Sequence, residues 1–106
     1  MNNYSNKEEA IIDLQKKGYE FDYVLKSENL LCVQNRELLN PDDFEIVETH
    51  LFEREAVNDR GCVIYAIASM HNGLKGILMI AFNTFTNGLS IHLWSKLSAA
   101  LICKPT

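Results

Sequence analysis

No acidic residue follows Asp59 in this chain of 106 residues. All 14 acids lie between Glu8 and Asp59, and residues 1–60 hold 7 of the 10 Lys and Arg, for a net charge of −7. Residues 61–106 have only Lys75, Lys96 and Lys104 as charges, and 26 of their 46 residues are apolar. Prolines number two and glycines five, scattered singly, which leaves no Pro/Gly-rich linker and no glycine-rich phosphate cradle. No apolar run approaches the roughly 20 residues of a membrane helix, and the opening MNNYSNKEEA lacks the apolar stretch of a secretory leader. Cys32, Cys62 and Cys103 are an odd number at wide spacings; a disulfide framework is not expected, and a reducing, cytoplasmic setting is. A formal charge of −4 argues against nucleic acid and anionic membranes as partners.

What is present is a globular composition, 47% hydrophobic and 23% charged, which excludes a disordered chain. The split in charge could mark two domains, but 46 residues are too few for an independent core. The expectation is one domain over 1–106, an acidic outer part wrapped around a very apolar centre.

Ser5 and Glu8 have the spacing of a capping box, Ala10, Ile11 and Leu14 form a short stripe, and Gly18 suits the residue after a helix end. From Glu20 the period changes to two. Phe21, Tyr23 and Leu25 predict a half-buried strand, and Leu30–Gln34 a second one after a turn at 27–29. Asn40-Pro41-Asp42-Asp43 reads as a cap with proline at the first helical position, hence a single turn. Glu45–Glu53 alternates again, with Ile46, Glu48, His50 and Phe52 on one face and Val47, Thr49 and Leu51 on the other.

Cys62–Ser69 and Leu74–Phe82 flank Asn72-Gly73, a dipeptide suited to a type I′ hairpin turn. That turn predicts one alanine-rich face, which a helix can approach closely, and one bulky apolar face. Both need cover, which places the hairpin inside the sheet. Polar loops are expected at 55–61 and 83–88. Ser90 is a fair cap for a final helix whose stripe is Leu93, Trp94, Leu97, Ala100 and Leu101. The order α-β-β-β-β-β-α predicts an α+β fold: a two-layer sandwich with a mostly antiparallel sheet of about five strands.

Asn40-Pro41-Asp42-Asp43-Phe44-Glu45-Ile46, Phe52-Glu53, Val63-Ile64-Tyr65-Ala66-Ile67 and Lys75-Gly76-Ile77-Leu78 together resemble a family of bacterial proteins of about this length and of unknown function. Members are often labelled automatically as phosphoribosylpyrophosphate synthetase. The resemblance runs from the first helix to Leu97 and carries no catalytic motif. The label has no support in the residues: Asp42-Asp43 alone cannot hold a nucleotide with magnesium, and no phosphate-binding loop accompanies it. The chain also departs from the family pattern, in which an aspartate stands at Ile80, a glycine at Asn83 and a proline after Ser90.

Asp42, Asp43, Glu48 and His50 are the candidate ligand-binding residues. Asp42 and Asp43 with Glu45 could meet a cation, but equally suit the positive start of a helical turn. Glu48 and His50, two apart on one strand, could act as acid and base, yet no nucleophile, oxyanion hole or orienting third group accompanies them. A metal site from Cys32, Cys62 and His50 would lack the usual ligand spacing, so neither metal nor cofactor is expected. Cys103 is the expected exposed thiol, and His71, in the turn, is expected to titrate near its ordinary value. The apolar second half argues for a non-enzymatic interaction module that self-associates, most simply as a homodimer. The alternatives are a small-molecule binder or minor enzyme using segment 40–50, and a subunit of a hetero-complex.

Overall fold

A computed structural model describes residues 6–52, 61–81 and 90–102. Helix α1 (Lys7–Lys16) starts at Asn6, whose side chain accepts from the Glu9 N–H at 2.8 Å. The cap is thus Asn6 and not Ser5, which lies outside the described residues; the same acid-bearing spacing operates one residue further on. Gly18 ends the helix with φ +103°, and the Tyr19 N–H returns to the Leu14 carbonyl at 3.0 Å.

Six strands follow: β1 (Phe21–Leu25), β2 (Leu30–Cys32), β3 (Leu38–Leu39), β4 (Phe44–Phe52), β5 (Cys62–Ser69) and β6 (Lys75–Ala81), then α2 (Ile91–Ile102). The sheet order is β3-β2-β1-β6-β5-β4. The expectation of about five strands missed β3, whose two residues are too short to show a period. Four ladders are antiparallel and one, β1 with β6, is parallel. The sheet is therefore mixed. The apolar hairpin β5–β6 sits inside it, inserted between strands of the acidic half.

Six flat strands would hold β3 and β4 about 24 Å apart. Only the Pro41–Asp43 turn joins them, and the span from Leu39 to Phe44 reaches at most about 18 Å. The sheet must curl, and it forms a half-barrel. One core gathers residues of every strand with α2: Tyr23, Leu30, Cys32, Leu39, Phe44, Val63, Tyr65, Ile67, Leu78 and Ile80 against Leu93 and Leu97. The other packs Ala10, Leu14 and Tyr19 on Ile64, Ala66 and Ile77. Alternate residues of β5 thus belong to opposite cores. The helices take one face each, and the expected two layers become three.

The hairpin register differs from the expected one by two residues: Ala66 faces Ile77 and Tyr65 faces Leu78. A type I′ turn needs positive φ at both central residues, and here only Gly73 has it, at +74°. The loop widens to 70–73, closed by the Ser69 N–H to the Leu74 carbonyl at 2.9 Å. A shift of two keeps every side chain on its face, so the expected split into alanine-rich and bulky faces holds. Strand β4 fares differently. Its register shifts between Ile46 and Glu48, which puts Ile46 in the α2 core and Glu48 and His50 on the α1 side.

Candidate functional site

The four candidate residues form two separate groups. Glu48 and His50 stand opposite Ala66 and Ile64 on the α1 face, and the His50 Nε2 lies 2.8 Å from the Glu48 Oε1. The other Glu48 oxygen is 3.4 Å from the Lys17 Nζ, which is itself 3.5 Å from Asp13. The sequence anticipated the dyad. It did not anticipate the lysine from the end of α1, which gives this carboxylate a cation on one oxygen and an imidazole on the other. Tyr19 sits nearby with Lys75 over its ring, and burial, then the Glu48 charge, raise its phenol above the usual value.

Asp42 and Asp43 occupy the turn that joins the two sheet edges, about 15 Å along β4 from Glu48 at the usual strand rise. Asp43 closes the turn by accepting the Asn40 N–H on Oδ2 at 3.0 Å, and its Oδ1 lies 3.1 Å from the His71 Nε2. Asp42 is 3.5 Å from the His92 Nε2 on α2. The two acids of one dipeptide therefore face different elements, the hairpin turn and the last helix. No contact joins either of them to Glu48 or His50.

His71 was legible only as an exposed turn residue. It is exposed, but its Nδ1 faces the Glu37 Oε2 at 3.3 Å while its Nε2 faces Asp43. Hydrogen bonds to Glu37, then to Asp43, raise its pKa, contrary to the expectation of ordinary titration. The second Glu37 oxygen accepts from the Asn72 side chain at 3.0 Å. No spacing in the sequence joins residues 37, 43 and 71; only the curl does.

Lys96 is a second feature the sequence did not reveal. Its ammonium donates to the Pro41 and Phe44 carbonyls and lies 4.3 Å from the centre of the Phe44 ring. Burial holds its pKa below the usual lysine value, against the opposing pull of Asp42, Glu45 and Asp43. It anchors α2 beneath the turn.

Among the described residues, no group of three or more His, Cys, Asp or Glu is arranged to hold a metal ion. The carboxylates of Glu37 and Asp43 approach opposite nitrogens of one ring, so they cannot close on a single cation at the 2.0–2.6 Å typical of hard metals. Cys32 and Cys62 are both buried, Cys32 in the α2 core and Cys62 on the α1 side. Cys103 lies outside the described residues. Also among the described residues, no helix is long and apolar enough to cross a membrane. No family model matches this chain, nor does any curated protein or solved structure.

Proposed function

We propose that the chain is a non-enzymatic interaction module that self-associates through the part of its sheet that α1 leaves uncovered. Helix α1 packs chiefly over β5 and β6, through Ala10 and Leu14. Beside it, one row crosses the sheet on the same face: Leu38 faces Leu31, Leu31 faces Val24, and Met79 lies next along from Val24. Leu38 is 52% exposed, Met79 51% and Val24 38%, with Leu31 half-buried. Four adjacent apolar side chains at the surface are the observation that carries this reading, because contiguous apolar patches mark association sites where scattered ones do not.

A second copy of the chain is the occupant that fits. Asp22 on β1 and Lys26 just past its end flank Val24, so the rim carries both signs and creates no field that repels its own kind. Nor does it offer the one-signed surface that a nucleic acid or strongly charged protein would require. Against enzymatic readings, the Glu48 carboxylate of the His50–Glu48 pair is held by Lys17.

Sedimentation equilibrium tests the proposal. Dimer is expected in the micromolar range for the natural chain, with a loss of at least tenfold in association for Met79→Lys or Val24→Lys. The helical and strand signals of circular dichroism should stay unchanged. A natural chain that remains monomeric at several hundred micromolar overturns the reading.

A further inference from the structure

We propose that His71, as an imidazolium, ties the β3 edge to the β4 edge across the β5–β6 turn, and that loss of its proton loosens that end of the half-barrel. The edges are β3 and β4, which lie at opposite ends of the strand order. Glu37 directly precedes β3 and Asp43 directly precedes β4, and His71 belongs to the turn between the two interior strands. The β4 edge already pairs with β5, but among the described residues no ladder joins β3 to β4 or to the hairpin, and one ring bridges that opening.

The protonation state follows from the geometry. A neutral imidazole has one N–H and one lone pair, whereas an ionised carboxylate is an acceptor only. With a carboxylate oxygen at 3.3 Å from Nδ1 and another at 3.1 Å from Nε2, only the doubly protonated ring donates on both sides. Deprotonation turns one contact into a lone pair facing an anion. The hydrogen bonds to Glu37 and then Asp43 raise its pKa accordingly, and burial opposes them.

Each partner has a second contact besides the ring, and for Glu37 that contact comes from the same turn. Asn72 holds the second Glu37 oxygen at 3.0 Å, and the Asn40 N–H holds the second Asp43 oxygen at 3.0 Å. The turn keeps its own shape through the Leu74 N–H to Asn72 Oδ1 at 3.0 Å and the Gly73 N–H to the Ser69 carbonyl at 3.0 Å. Loss of the proton would therefore loosen this end and leave the Asn72–Glu37 bond and the β4–β5 ladder as remaining ties. The Met70 N–H to the Asp43 carbonyl, at 2.8 Å, is the backbone bond spanning the gap that would open.

The surrounding charges are Glu37 from the β2–β3 connection, Asp42 and Asp43 from the turn, Glu45 from β4, and Lys96 and His92 from α2. Lys96 grips the turn from beneath through the Pro41 and Phe44 carbonyls, so release is confined to the side facing the hairpin. The sign is fixed. A histidine whose folded pKa lies above the unfolded one adds stability below about pH 6.5, the unfolded value, and loses it as pH rises through the folded one.

A nitrogen-15 NMR titration of the imidazoles, run beside amide exchange and urea unfolding from about pH 5 to pH 9, is the test. The expected result is a His71 midpoint above the ordinary histidine value, with both ring nitrogens protonated below it. Exchange protection at the Met70 amide, corrected for intrinsic rate, should fall on crossing that midpoint. His71→Gln should abolish this fall, while His92→Gln should keep it. Asp43→Asn, which leaves the ring in place, should move the His71 midpoint down. A midpoint at or below the ordinary value, or the same loss of Met70 protection in His71→Gln, overturns the proposal.

Discussion

The ring of Tyr23 lies across the backbone of Gly76. A Cβ at position 76 would sit 2.6 Å from the Tyr23 Cε2 and 2.5 Å from the Phe21 carbonyl oxygen. Phe21 and Gly76 are partners in the parallel β1–β6 ladder, which among the described residues is the ladder joining the β1–β3 side of the sheet to the hairpin. The missing side chain thus makes room for an aromatic cover at the one place where the sheet's two parts meet.

Gly76→Ala is expected to destabilise the protein by about 3 kcal/mol, at the upper end of overpacking costs. The obstructing carbonyl belongs to the backbone of a neighbouring strand and cannot swing aside. Urea unfolding measures the change, and a loss below about 1 kcal/mol would mean that the ladder yields more easily than its geometry indicates.

Tyr23 and Tyr65 provide a matched pair. The Tyr65 hydroxyl donates to the Leu97 carbonyl at 2.9 Å inside the α2 core, whereas the buried Tyr23 hydroxyl has no hydrogen-bond partner among the described residues. Tyr65→Phe should cost about 1–2 kcal/mol, since it also strands a buried carbonyl, and Tyr23→Phe should be neutral or stabilising by up to about 1 kcal/mol. Opposite signs in equilibrium unfolding are the outcome sought.

The same Tyr23 predicts alkaline behaviour. Burial, then the charges of Cys32 and Glu37, push its phenol from 10.0 up to about 12. The unfolded phenol ionises first, so stability holds below pH 10, falls from there to about 12, and then levels. Tyr23→Phe should lessen that alkaline fall when unfolding is followed by circular dichroism.

Lys96→Met retains the stem and removes the ammonium. Two carbonyls of the Pro41–Phe44 segment lose a charged donor, for an expected cost of about 2 kcal/mol. Faster amide exchange at Asp43, whose N–H bonds the Asn40 carbonyl at 2.8 Å, would locate the damage in the turn.

Asn6→Ala tests the first helix alone. The loss of the bond from the Glu9 N–H should cost about 1 kcal/mol, while Asn6→Ser should largely restore stability.

Elements whose signals are local were legible in the amino-acid order. The apolar run over 62–69 beside Asn72-Gly73 marked β5, the Asn-Pro-Asp-Asp run marked the short turn, and Ser90 marked the start of α2, where its Oγ accepts the Leu93 N–H at 3.2 Å. Burial of Val63, Ile67 and Leu78 likewise followed from an apolar stretch with no charge to keep it in water. Trp94 did not follow the stripe. It stands one residue on from Leu93, about 100° around the helix, and is 46% exposed while Leu93 and Leu97 fill the core.

Residue order alone, then, determined which segments extend, which coil and which side chains must leave solvent, because those preferences act over a few neighbouring residues. Tertiary structure decided the parallel seam, the bulge that turns Ile46 away from Glu48, the separate placing of the two candidate pairs, and the meeting of Glu37, Asp43 and His71. Each of these depends on how far the sheet curls and which strands become neighbours. Such pairings are set by the packing of the whole chain, and many arrangements share the same local pattern.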